Sequence, residues 1–238
     1  MKLRWFGQSA FLLSGARRVA IDPFGPMEGL ASRGIVFDYP PIEGVEADLL
    51  LITHEHRDHD FAEAVDAPQT IRALAGTFES PVGTVVGVAS EHDEVAGTRR
   101  GHNVIFRFDL DGLGVCHLGD LGQPALRPEQ RAAIGAVDVL LVPVGGGPTI
   151  GGEAAAAVVR DLGPRLVVPM HYGNAAVSFL GPPDEFLAAL GAGVDRPGVA
   201  EAELEDHLGT PRAPRVLLLE PPAGRRPGRP QAPSIASR

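Results

Sequence analysis

Thr53-His54-Glu55-His56-Arg57-Asp58-His59 is the stretch on which the reading of this chain turns. Three histidines and one aspartate fall within six residues, after the apolar run Leu49-Leu50-Leu51-Ile52. An apolar run that ends in a polar cluster reads as a buried strand. Residues two apart on an extended segment point the same way, so His54 and His56 share a side. Asp58 and His59 then fall in the turn, or first helical turn, that follows. Imidazole suits zinc and other first-row ions and carboxylate suits harder ones, so one such loop can feed two adjacent ions. The alternative is a merely solvated polar loop. With only eight His in 238 residues, three within six positions argues against it.

Working outward, strands and helices alternate. Lys2–Phe6, Ala10–Ser14 and Val19–Ile21 read as short strands separated by turns containing Gly7 and Gly15. Gly83–Ala89, His102–Asp109 and Gly114–Leu118 follow as strands, the last after the Asp111-Gly112 turn. Pro128–Ile134 suits a short helix with proline in its first turn. Val137–Val142 reads as another buried strand, and Glu153–Leu162 as an Ala-rich helix stopped by Gly163-Pro164. Leu166–Val168 is a strand, Asp184–Leu190 a helix and Val216–Leu219 a final strand, with Gly/Pro-rich irregular chain expected over 191–214. Hairpins followed by β-α-β-type units predict an α/β sandwich.

Composition narrows the function. A 44% hydrophobic chain of this length fits one large domain, or at most two small ones, with a real core. Residues 1–220 are expected to form that domain. Residues 221–238 hold five Pro, two Gly and four Arg without apolar period, and are expected to be a disordered tail. The first 220 residues carry 17 basic and 30 acidic residues, a net charge of −13. So acidic a surface repels nucleic acid and disfavours anionic membranes. The longest apolar runs are too short to cross a bilayer, and the N-terminal residues show no secretory signal, which predicts a cytoplasmic protein. The single cysteine, Cys116, excludes an internal disulfide and any Cys-rich zinc module.

His-x-His-x-Asp-His after an apolar strand resembles the signature of the metallo-β-lactamase superfamily. That family also places a His, a bridging Asp and a last His at the ends of later strands. His92 in Ser90-Glu91-His92, Asp120 in His117-Leu118-Gly119-Asp120 and His171 in Pro169-Met170-His171-Tyr172 match those positions. Asp22 in Ala20-Ile21-Asp22-Pro23 matches the early Asp that braces the metal loop. The resemblance covers about residues 1–220 and implies a four-layer αβ/βα sandwich with its site at one edge, between the sheets. It implies that His54, His56 and His92 hold one divalent ion, that Asp58, His59 and His171 hold a second, and that Asp120 bridges. One or two ions are expected, zinc first, with manganese or nickel as alternatives. The wording is closest to the small ascorbate-6-phosphate lactonase-like branch, through Trp5-Phe6-Gly7, Asp22-Pro23-Phe24, His92-Asp93-Glu94-Val95 and His117-Leu118-Gly119-Asp120-Leu121-Gly122. One departure stands out: relatives often carry Gly-His-Ser or Gly-His-Ala where this chain has Gly7-Gln8-Ser9. Gln8 donates and accepts hydrogen bonds but is a poor metal ligand.

The resemblance implies a hydrolase of a small ester, lactone or phosphoester, in which metal-activated water attacks and Asp58 orients or deprotonates it. A non-catalytic metal-binding sensor or scaffold on the same fold is the alternative. Only 51 positions separate Asp120 from His171, which leaves no room for the inserted cap of nucleic-acid-processing relatives. Only 33 separate His59 from His92, so the site is expected to be shallow or completed by a neighbouring subunit of a homo-oligomer. His117 reads as structural, with an outer role behind a ligand as the alternative. Cys116 reads as a small apolar residue, His102 and His207 as surface or structural, and Tyr172 as either packing or substrate-facing. Asp93 and Glu94 either orient His92 or face solvent. Gly145-Gly146-Gly147 at a strand end reads as a tight turn, with an anion cradle as the weaker alternative.

Overall fold

The computed structural model describes residues 1–210 and 213–222, so the predicted tail lies outside the described residues from 223 onward. In chain order the elements are β1 (Lys2–Gly7), β2 (Ala10–Ser14), β3 (Arg18–Ile21), β4 (Val45–Glu46), β5 (Leu49–Ile52), β6 (Val65–Asp66), β7 (Thr70–Arg72), β8 (Gly76–Ser80), β9 (Gly83–Glu91), β10 (His102–Leu110) and β11 (Leu113–His117). There follow α1 (Pro128–Ile134), β12 (Val139–Pro143), α2 (Gly152–Leu162), β13 (Leu166–Met170), α3 (Asp184–Leu190), β14 (Gly193–Asp195), β15 (Glu201–Glu203) and β16 (Arg215–Leu217). One sheet has the order β15-β1-β2-β3-β5-β7, and the other β14-β16-β13-β12-β11-β10-β9-β8. A two-stranded parallel ribbon, β4-β6, stands apart.

The side-chain period of two explains the layering. Leu3 and Trp5, Phe11 and Leu13, Val19 and Ile21, and Leu49 and Leu51 enter the large core, which they share with β9 to β13. Their neighbours Ala10, Ala20, Leu50 and Ile52 face the other way, into a second core with Phe24, Tyr39, Ile42, Val45 and Val177. Strand β5 is therefore apolar at every position because it is buried on both faces. Full burial of one such Leu or Ile stabilises by about 1.5–3 kcal/mol. Against the eight-stranded sheet lie α1, next to β9, and α2, which packs on β12 and α3. Outside the six-stranded sheet, the largely irregular chain from Phe24 to Ala47, which includes β4, and a short 3-10 turn at Ala62–Ala64 form the cover.

The expectation for 191–214 needs correction. That segment supplies two strands: β14 pairs with β16, and β15 pairs antiparallel with β1 through Lys2↔Glu203 and Arg4↔Glu201. These three-residue strands borrow their order from established partners, so periodicity within them is too short to read.

Strand direction positions the site. β3 and β5 are parallel, as are β11, β12 and β13. β9 is antiparallel to β10, and β10 to β11, so β9 runs with β11. The C-terminal ends of β3 and β5 thus gather at one edge of their sheet, and those of β9, β11 and β13 at one edge of the other. The sheets meet there, where Val104 N donates to Thr53 O at 3.0 Å.

Candidate metal centre

Every predicted ligand follows one of those strand ends. His54, His56, Asp58 and His59 follow β5, His92 follows β9, Asp120 follows β11 and His171 follows β13. Residues 57–59 form a turn rather than a helix. The fold gathers all seven. His54, His56 and His92 offer ligand atoms within 4.8 Å of one another, and so do Asp58, His59 and His171. Asp120 lies between the groups. Its Oδ2 is 3.2 Å from His92 Nε2 and 3.9 Å from His54 Nε2 on one side, and 3.3 Å from His59 Nε2 and 3.2 Å from His171 Nε2 on the other. One carboxylate oxygen thus faces both triads. Asp22 also lies close to His54 and His59, but its oxygens are already engaged by protein donors.

The imidazoles are oriented by what their other nitrogens touch. Asp22 accepts from Thr53 N at 2.8 Å and Thr53 Oγ1 at 2.7 Å, and its Oδ2 lies 3.0 Å from His59 Nδ1. With its hydroxyl proton committed to Asp22, Thr53 Oγ1 accepts from His54 Nδ1 at 3.0 Å. His92 Nδ1 donates to Pro148 O at 3.1 Å. Each contact places hydrogen on Nδ1 and leaves the Nε2 lone pair for a ligand. His54 Nε2 and His59 Nε2, 3.9 and 3.3 Å from Asp120 Oδ2, are buried without a hydrogen-bond partner. Buried nitrogens left unpaired beside a carboxylate cost free energy, and a divalent cation coordinated by these donors removes that cost. The donor set therefore fits a metal.

The electrostatics agree. Burial pushes the His54 imidazole far below its ordinary pKa, with a smaller push from His59. Burial likewise lowers His171; burial first, and the neighbouring His92 imidazole second, lower His56. His59 differs: burial lowers it, but Asp120 and Asp58 outweigh burial and hold its pKa well above the usual value. Burial raises the Asp120 carboxyl, yet His171 and His59 hold it well below the carboxylate range.

Backbone details that the sequence reading did not resolve complete the site. The β1–β2 turn reaches in: Gln8 Nε2 donates to Asp58 Oδ2 at 3.1 Å, and Ser9 Oγ to Asp120 Oδ1 at 3.5 Å. Asn103 receives Asp120 N on its Oδ1 at 3.0 Å and donates to Leu118 O at 2.8 Å, fixing the turn that carries Asp120. Gly119 in that turn has φ 58°, and a Cβ there would stand 2.2 Å from Asn103 Oδ1. Gln8, Asp22 and His171 all have positive φ, at 49°, 47° and 51°. That conformation costs a non-glycine residue about 1–2 kcal/mol, and such strain concentrates at functional sites.

Other candidates fall into place. His117 is buried, its Nε2 donating to Ser9 O at 3.0 Å and its Nδ1 accepting from Gly119 N at 3.1 Å; it braces the turn before Asp120. Cys116 is buried, and burial pushes its thiol up to about 12, so it packs as an apolar residue. Tyr172 donates to Leu219 O at 3.2 Å from within the core. Asp93 accepts from the backbone N–H groups of Val95, Gly97, Arg99 and Arg100, which ties the loop after His92. Burial raises its pKa, but those four donors outweigh burial and hold it at about 2. His207 pairs with Asp195 at 2.9 Å, away from the seven candidate ligands, and Glu94 and His102 are exposed. Gly145 serves close approach, since a Cβ there would meet His171 O at 2.4 Å. A cavity of about 380 Å³ opens over this cluster, lined by His56, Asp58, His92, Asp120 and His171 with Arg100, Gly147, Pro148 and Phe179.

Residues 2–171 match the family model of the β-lactamase superfamily domain. The chain belongs to the metallo-β-lactamase superfamily. Within that superfamily it is 31% identical over 216 residues to a UPF0173 metal-dependent hydrolase of Thermococcus onnurineus, covering 80% of this chain and 92% of the relative. A UPF0173 metal-dependent hydrolase of Methanoculleus marisnigri is 31% identical over 204 residues, covering 72% of this chain and 81% of that one. Among solved structures, a protein of Thermotoga maritima described as a Zn-dependent hydrolase of this superfamily superposes with a TM-score of 0.71 at 32% identity. That match covers 92% of this chain and 98% of the other. The metallo-β-lactamase fold is thus reached independently through sequence family and chain trace.

Proposed function

We propose that this chain is a hydrolase of small esters, lactones or phosphoesters that works with one or two divalent ions, zinc first. The observation that carries the reading is the position of Asp120 Oδ2, 3.2–3.9 Å from imidazole nitrogens of both ligand groups. His54, His56 and His92 would hold one ion, Asp58, His59 and His171 a second, and Asp120 would touch both. Ions held there supply Lewis acidity, which lowers the pKa of a coordinated water and polarises the substrate oxygen.

The chain's own residues do the rest. Asp58 is only partly buried and lines the cavity, so its carboxylate reaches the attacking water, takes its proton and returns it to the leaving oxygen. Asp22, Thr53 and Pro148 hold the imidazoles in the tautomers that ligation needs. The cavity of about 380 Å³ suits a small molecule. The acidic surface argues against nucleic acid, and among the described residues no helix is long and apolar enough to cross a membrane. A lone buried thiol accords with a reducing, cytoplasmic setting.

The test is metal content by mass spectrometry, before and after chelation and reconstitution, with the same samples assayed on lactones, aryl esters and aryl phosphodiesters. Turnover that follows bound metal supports the reading and identifies the bond cleaved. Bound metal without turnover on any of the three substrate classes overturns the hydrolase reading and leaves the sensor or scaffold. A chain that takes no metal overturns the ligand assignment.

A further inference from the structure

Gln8 is fully buried, yet its amide is only half used: Nε2 donates to Asp58 Oδ2 at 3.1 Å, while Oε1 has no hydrogen-bond partner. The orientation follows from chemistry, because an ionised carboxylate only accepts and the NH2 end must therefore face it. The backbone holds the side chain there at a cost. Gln8 sits in the left-handed region at φ 49°, just past a register shift between Trp5 and Gly7. Gly7, at φ 114°, has no room for a Cβ, which would stand 2.4 Å from the Tyr39 ring. The Gln8 carbonyl accepts from Trp5 Nε1 at 2.9 Å and from His171 N at 3.2 Å, so the residue is pinned between the first hairpin and the strand end that carries His171. A strained backbone, a side chain aimed at a ligand and an unpaired amide oxygen are a poor bargain for stability alone.

The oxygen that Gln8 grips is also the functional one. Asp58 Oδ2 lies 3.6 Å from His59 Nε2 and faces the group formed with His59 and His171. Asp58 is the most exposed carboxylate of the set, 19% against 3% for Asp120 and 0% for Asp22. It therefore has most freedom to swing away. Among the described residues, no other side chain donates a hydrogen bond to it.

We propose that Gln8 is the positioning residue of the Asp58–His59–His171 ion site: it holds Asp58 in the ligating orientation and so sets the affinity for the second ion. Among the described residues, Gln8 makes no hydrogen bond to His54, His56 or His92, so that site should not depend on it. This inference rests on the proposed metal-dependent reading, taken with both ion sites filled.

The experiment is a zinc titration of the full-length, chelator-stripped protein against a chromophoric competitor, which resolves stepwise affinities. Wild type should load in two steps. Gln8→Met removes both polar atoms at nearly constant length and should weaken the second step by about 10–100-fold, leaving the first within about twofold. Gln8→Asn keeps the amide but falls one methylene short of Asp58, and it should give the same split. It also guards against a Met variant that does not fold. In Asp58→Asn the second step should already be weak, and adding Gln8→Met should change it no further, since Gln8 acts through Asp58. A wild type that binds no zinc refutes the metal reading itself. Two-step loading that Gln8→Met and Gln8→Asn leave unchanged, or weaken equally in both steps, overturns the inference. So does wild-type loading that stops at one ion.

Discussion

Replacing Asp22 by Asn tests how the metal loop is built, because Asp22 is expected to bind no ion. The Asp22 carboxylate accepts Thr53 N on Oδ1, and Thr53 Oγ1 and His59 Nδ1 on Oδ2. Asn keeps the shape but offers one acceptor oxygen and an NH2. With the oxygen kept on Thr53 N, the NH2 faces two groups that both arrive as donors. His59 must then give up hydrogen at Nδ1 and carry it on Nε2, the atom 3.3 Å from Asp120 Oδ2. An Nε2–H cannot ligate. Two hydrogen bonds to a charged acceptor, at about 1.5–3 kcal/mol each, put the loss near 3–5 kcal/mol, the usual cost of breaking a buried pair. For a domain of this size that is a fall in Tm of roughly 10 °C. Zinc affinity of the Asp58–His59–His171 group should fall about 10–100-fold. Urea unfolding of the metal-free protein reads the first quantity and a competitive zinc titration the second. An Asp22→Asn protein that loses stability but keeps wild-type zinc affinity would refute the claim that Asp22 sets the His59 tautomer.

His54→Ala and Asp120→Ala should each lose metal and turnover together, measured by mass spectrometry and assay on the same samples; full metal content in either would remove that residue from the ligand set. Saturating zinc at about a thousand times its Kd should stabilise the fold by roughly 4 kcal/mol over the chelated protein, read as a rise in Tm. Zinc affinity should increase with pH, because ions compete with the proton that Asp120 and Asp58 hold on His59. The sign for the metal-free fold is opposite. The raised His59 pKa contributes stability that is fully present below the unfolded value near 6.5 and is lost as pH rises through the folded one. Titrations across pH 6–9 check both directions. Gly119→Ala should cost at least about 1–2 kcal/mol from its left-handed backbone and should displace Asn103, seen as weaker metal binding as well as a lower Tm.

The sandwich was legible where burial is total. Leu49–Ile52, Val139–Pro143 and Leu166–Met170 are apolar at every position because both faces are covered, and their runs announced strands. The strands of the β1–β2–β3 and β10–β11 hairpins and the three α-helices were readable from turn residues and periodicity, whereas β8, which pairs with β9 across Pro81-Val82, was not. What escaped was order imposed from outside. β15 exists because β1 presents an open edge to it, and β14 because β16 does. Three residues carry too little period to say so. The cover over the six-stranded sheet escaped for a related reason: Phe24, Tyr39 and Ile42 reach its core from irregular chain, which has no repeat to read.

The site divides along the same line. Its candidate ligands stood out because coordination demands particular side chains, and His, Asp and their spacing are conspicuous in any sequence; the fold brings these seven side chains together. The groups that hold the ligands were not, because almost any polar atom at the right place will do. His92 is oriented by the carbonyl of Pro148, 56 residues away, an interaction in which the side chain of Pro148 plays no part. Asp120 is steadied by Asn103, and Asp58 by Gln8, each from a strand end or turn whose approach only the folded sheets create. Gln8 was visible as a departure from a pattern, and its consequence was not. Positive φ at Gln8, Asp22 and His171 has no signature in residue type, since none of the three is glycine. The strain is retained because each residue is locked by neighbours on other strands: Gln8 by Trp5 and His171, Asp22 by Thr53 and His59, His171 by Gln8. The same contacts that force those conformations also aim the ligands, so removing the strain by substitution at any of the three should loosen the site before it stabilises the fold.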